Sequence, residues 1–117
     1  MSSDGILDQL ASALETDGPV IIGTMFRRPG IRVGGKIVAF LGHDDVLIMK
    51  LPRARGLELV EAGIAESVTM GARTMREWVS VPARNSAGGT LTSWLPLARE
   101  ALAYVQELNS KTPGSHL

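Results

Sequence analysis

Ile31-Arg32-Val33-Gly34-Gly35-Lys36-Ile37-Val38-Ala39-Phe40-Leu41 decides how this chain is read. β-Branched and apolar residues flank a Gly-Gly pair. A two-residue hairpin turn needs positive φ at its centre, which glycine adopts without steric cost. The stretch therefore predicts two antiparallel strands, the second over residues 36–41. Downstream, Gly42-His43-Asp44-Asp45 turns again and residues 46–51 return as a strand. Upstream, residues 20–26 are mostly β-branched and apolar. Arg27-Arg28-Pro29-Gly30 then reads as a turn, because Pro presets its own φ and Gly accepts positive φ. Tight turns between successive strands imply an antiparallel meander.

Outward from the meander the period changes to that of helices. Ile6, Leu7, Leu10, Ala11 and Leu14 recur at helical spacing, with Ser3 or Asp4 as N-cap and Thr16-Asp17-Gly18-Pro19 as the stop. This predicts a helix over residues 4–15. Pro52 is suited to the first position of a second helix, with Leu57, Val60 and Ile64 as its apolar stripe and Gly63 as its terminator. Gly56 weakens that helix by about 1 kcal/mol relative to Ala. Residues 67–70 and 76–81 read as two strands around Gly71-Ala72-Arg73, and residues 82–89 as a polar loop. The last helix carries Leu91, Trp94, Leu95, Ala98, Ala101, Leu102, Val105 and Leu108 on one stripe. Pro96 belongs near a helix start, because its ring clashes with the carbonyl four residues back, so the start is expected at Thr92 or Ser93. The expected fold is α+β: three helices and a mainly antiparallel sheet of about six strands, in the order α-β-β-β-β-α-β-β-α. Residues 1–110 form one domain and residues 111–117 a flexible C-terminal tail.

Composition agrees with one domain. At 117 residues and 44% hydrophobic content, the chain can bury a core without staples. It has no Cys and two His, so disulfides, thiolate zinc sites and three-histidine metal centres are excluded. The N-terminus lacks the early positive charge and apolar run of a signal peptide, and no apolar run approaches a membrane span. The expectation is a cytoplasmic protein without membrane contact.

The formal net charge is zero, but it is unevenly placed. Residues 1–24 net −4, residues 25–55 net +5 and residues 56–117 net −1. The basic segment makes Arg27, Arg28, Arg53 and Arg55 candidates for contact with DNA or another anion, against the plainer reading of a solvated surface. Its only aromatic residues are Phe26 and Phe40, which argues against stacking on single strands. The Arg27–Gly30 turn lacks the bracketing glycines and following Lys-Ser/Thr of a phosphate loop. Asp44 and Asp45 beside His43 could in principle form an acid–base or metal pair. Asp is also favoured in turns for its local hydrogen bonds, and His116 lies in the tail. No serine sits in a nucleophile elbow. No catalytic residue, cofactor, metal or small-molecule ligand is therefore expected. Trp94 belongs to the core. Strict alternation places Trp78 opposite Val79 and Val81, either half-exposed as an anchor for a partner or under a helix on a sheet covered on both faces.

Several motifs, in order, resemble the N-terminal domain of the TfoX/Sxy family, whose founding members regulate competence in bacteria. They are Met25-Phe26 and then Gly35-Lys36; Asp45-Val46-Leu47-Ile48-Met49-Lys50; Gly63; Met70-Gly71-Ala72-Arg73-Thr74-Met75; Trp78-Val79-Ser80-Val81; and Leu91, Trp94, Ala98 and Tyr104. The likeness covers about residues 23–108. Arg27 and Arg28 stand where the family usually has Gly-Gly, and the second domain of the longer regulators has no counterpart. The resemblance implies a compact α+β domain and brings no catalytic residues. The expected function is non-enzymatic and regulatory, through a protein partner or homodimer, with DNA contact as the alternative and an unrecognised enzyme as a further one.

Overall fold

The computed structural model describes residues 4–25, 28–42, 45–70, 72–84 and 86–115. Its elements are α1 (Asp4–Leu14), β1 (Ile21–Met25), β2 (Arg28–Val33), β3 (Lys36–Leu41), β4 (Val46–Lys50), α2 (Arg53–Glu61), β5 (Glu66–Met70), β6 (Arg73–Pro82) and α3 (Ala87–Ser115). The order and class are those expected from the sequence. The six strands form one antiparallel sheet in the order β1-β2-β3-β4-β6-β5. β4 and β5 both run antiparallel to β6, so they are parallel to each other. The connection through α2 is thus a β-α-β crossover with β6 filling the gap between its two strands.

The Gly-Gly hairpin forms as read, with φ of 57° at Gly34 and 80° at Gly35. A side chain on Gly34 would also come within 2.6 Å of Asn109 Nδ2. Asn109 donates to the Val33 carbonyl at 3.0 Å and ties the hairpin to α3. Past the turn, Ile31 pairs with Ala39 but Arg32 pairs with Ile37, so Val38 is an extra residue in β3. Val38 and Ala39 are both buried. The bulge therefore places two consecutive residues in the core and keeps Phe40 and Ile37 on the other face.

Several boundaries differ from the sequence reading. Arg28, Pro29 and Gly30 belong to β2 rather than to a turn, since Met25 pairs with Arg28 and Thr24 with Pro29. Pairing of β2 with β3 begins only at Gly30, so the absent N–H of Pro29 falls where β2 has one neighbour. Pro52 caps α2 from outside the helix, and the buried residues of α2 are Gly56 and Leu59. Leu57 and Ile64, placed on the apolar stripe by spacing, are 60% and 43% exposed. The stop at Gly63 holds: Ile64 N–H bonds to the Leu59 carbonyl and Gly63 N–H to that of Val60, with φ of 77° at Gly63. β6 begins three residues before the expected strand.

α3 begins at Ala87, well before Thr92. Ser86 Oγ accepts from the Gly89 N–H at 3.0 Å and caps the first turn. The buried Thr90 hydroxyl accepts from the Arg84 N–H at 2.8 Å, holding the preceding loop. Pro96 lies inside the helix on its exposed side, where water can satisfy the carbonyl that loses its donor. At the other end α3 continues to Ser115, and Val105 is the last buried residue among those whose burial is described.

One core joins all three helices to one face of the sheet. Leu7, Leu10 and Leu14 from α1, Leu59 from α2, and Trp94, Ala98, Leu102 and Val105 from α3 meet Ile31, Leu47, Met49, Val79 and Val81. Cross-strand registry puts Phe40, Ile48 and Ser80 in one row on the opposite face, and each is half-buried. Among the described residues, no helix packs there. Among the described residues, no helix is long and apolar enough to cross a membrane.

Trp94 is fully buried, and its Nε1–H donates to the carbonyls of Val81 at 3.2 Å and Pro82 at 3.3 Å. Trp94→Phe removes this donor and part of the ring, with an expected loss of about 1–3 kcal/mol in urea denaturation. A loss below about 0.5 kcal/mol would show that the indole contributes no more than a phenyl ring.

Candidate functional site

The residues singled out as a basic zone do not converge. Arg28 opens β2, whereas Arg53 and Arg55 lie just beyond the end of β4. β2 and β4 are parallel, because each is antiparallel to β3. Arg28 and the α2 arginines thus sit at opposite ends of the sheet, about a strand length of 15–20 Å apart. Arg55 is also engaged. Its Nε and Nη2 donate to the Glu100 carboxylate at 2.7 and 3.0 Å, and its Nη1 pairs with Glu58 at 3.1 Å. The bonds to Glu100, then Glu58, raise its pKa. This fork joins α2 to α3, which gives Arg55 a structural role. Arg53 is exposed. Arg27 lies outside the described residues.

His43, Asp44 and His116 also lie outside the described residues. Asp45 has φ of 55°, a left-handed conformation that Asp tolerates in turns, and its carbonyl accepts the Ala83 N–H. Among the described residues, no three His, Cys, Asp or Glu are grouped to hold a metal.

The structure instead gathers chemistry around Trp78. Between the pairs Ser67–Val79 and Val68–Met75, three residues of β6 have no counterpart on β5: Arg76, Glu77 and Trp78. Here β6 follows β4, with Trp78 opposite Lys50 and the Glu77 carbonyl accepting the Leu51 N–H. By strand alternation Trp78 lies on the face opposite the buried Val79 and Val81. Its ring meets that of Phe40 edge-on, with centroids 5.9 Å apart at 64°. Lys50 Nζ lies 5.1 Å from the Trp78 ring and 3.5 Å from Glu77 Oε1. Glu77 Oε2 accepts the Tyr104 hydroxyl from α3 at 2.6 Å.

Two shallow clefts flank Trp78. One, of about 420 Å³, lies between α2 and the β5–β6 hairpin, with Gly56, Val60, Ser67 and Met75 in its walls. The other, of about 390 Å³, is bordered by Lys36, Lys50, Val105 and Asn109. Both are half open to solvent, unlike the enclosed pockets that desolvate a reacting group.

The Glu77–Tyr104 bond moves both groups further from neutrality. The bond to Glu77, then burial, pushes the Tyr104 hydroxyl up to about 12. The same bond, with Lys50 nearby, holds the Glu77 carboxylate below its ordinary value. Catalytic acids and bases are tuned toward the working pH, and this pair is tuned away from it.

Sequence reading anticipated half-exposure of Trp78 as one of two alternatives. It missed Lys50, Glu77 and Tyr104 as its surroundings. The available signal was Glu77 itself, a charge within the apolar run of β6, which calls for a partner once it faces a helix. Comparison of the chain with family models, with curated proteins and with solved structures finds no match.

The Tyr104–Glu77 bond makes stability depend on pH at both extremes. Tyr104 has a folded pKa above its unfolded value, so its contribution is intact below about pH 10 and is lost as pH rises toward 12. Glu77 has a lowered folded pKa, so its contribution fades as pH falls through the carboxylate range. Tyr104→Phe is expected to flatten the alkaline loss in thermal melts recorded across pH, and an unchanged alkaline slope would contradict the assignment.

Proposed function

We propose that this chain is a small TfoX-like regulatory domain of the bacterial cytoplasm, acting by binding rather than catalysis, and that its partner is a second copy of itself. The motif order over residues 23–108 supports the family reading. The observation that carries self-association is the edge strand β1. Ile21 and Ile22 are 68% and 44% exposed there. The strand Ile-Ile-Gly-Thr-Met carries no charge and no proline, the features that usually guard an edge against pairing. The other edge, β5, begins with an exposed Glu66. Two β1 strands related by a two-fold axis near Gly23 would meet antiparallel and continue one sheet into the next copy, burying both isoleucines.

Light scattering on the purified chain is expected to give twice the monomer mass. The Ile21→Lys variant is expected to run as a folded monomer, because that side chain is 68% exposed in the single chain, whereas Ile22 shares the face of the buried Ile31. A wild-type protein that stays monomeric at high concentration overturns the proposal.

A further inference from the structure

We infer a second binding surface, independent of the β1 edge: the helix-free face of the sheet is a platform for single-stranded nucleic acid. The first observation is the pairing of Phe40 with Trp78, two half-buried aromatic rings on strands separated by β4. Bases stack on such rings without regard to sequence. The second is charge. Arg28, Arg32 and Lys50 share this face by strand alternation, against Glu66 as its one acidic residue among those described. Lys50 is partly committed to Glu77, and its ammonium lies 5.1 Å from the Trp78 ring centroid.

The third observation concerns Arg32. Its half-buried side chain makes no hydrogen bond or ion pair among the described residues, and its Nε is buried without a partner. Only its Nε is buried; the other guanidinium nitrogens stay open to an incoming acceptor. A phosphate accepts from the guanidinium fork in the geometry that suits it best. An acidic peptide would answer the charge but not the rings. A duplex would present phosphates but keep its bases stacked inside. The combination favours an unpaired strand.

The test uses fluorescein-labelled oligothymidine and oligouridine of about 10 nucleotides, within the span of small single-strand sites. Anisotropy is read at low and near-physiological salt, together with intrinsic tryptophan emission. Trp94 is fully buried, so quenching on binding reports Trp78. The expected result is quenching and an affinity falling with salt at a log–log slope of about −1.5, corresponding to two phosphate contacts. Trp78→Phe should keep binding and lose the quenching. Arg32→Ala should weaken binding at least about fivefold and cut the slope by about 0.7. The deoxy and ribo arms separate DNA from RNA. Absence of binding at low salt overturns the inference. Equal binding of a duplex or an oligoglutamate peptide overturns it too, as does affinity indifferent to Arg32→Ala in a variant whose melting is unchanged.

Discussion

The burial of Trp94 organises the two layers. Its ring fills the space between α3 and β6, and its one polar atom reaches the last carbonyls of β6. An indole N–H buried without acceptors would cost about 1–3 kcal/mol, a sizeable share of what the ring's burial contributes. The position of α3 is thereby keyed to the end of one strand. From that point α3 runs over the sheet toward Val33, where Asn109 ties down the first hairpin. It also presents Glu100 to α2 and Tyr104 to β6. Three separate attachments follow from one helix held in register.

With all helical cover on one side, the opposite face keeps its own character. It is neither a plain polar exterior nor a second core. The large bulge in β6 sends Glu77 toward α3 and leaves Trp78 with Phe40 and Lys50 on the open side. One irregularity thus serves both layers: an acid satisfied by a buried-side hydroxyl, and an indole held half in solvent. The direction of the Tyr104 and Glu77 shifts separates such a structural pair from a reactive one, because each group is held in its ordinary charge state across a wider range of pH.

Local signals were legible in the sequence wherever one residue type answers one backbone demand. Gly34, Gly35 and Gly63 marked turns because the left-handed region excludes most side chains. Pro96 misled because an exposed position lets water take up the carbonyl that loses its donor, which lowers one of the two costs of an interior proline. Spacing alone put Leu57 and Ile64 on the inner face of α2, and only the docking of that helix through Leu59 shows which stripe turns inward. The arginines were grouped by their nearness in sequence. A strand carries the chain across the whole sheet in five or six residues, so neighbours in sequence end at opposite poles. The converse holds for Phe40 and Trp78, which meet through strand order rather than through any local pattern.

The position of β6 has a consequence for synthesis. The first four strands form a meander of short-range contacts that can assemble as soon as residues 21–50 have emerged. At that stage β4 is an edge, and four of the five residues of Val-Leu-Ile-Met-Lys are apolar. Its proper neighbour comes last, after α2 and β5 have been made. For the time the ribosome takes to deliver residues 73–82, the nascent chain presents an adhesive ribbon with no occupant.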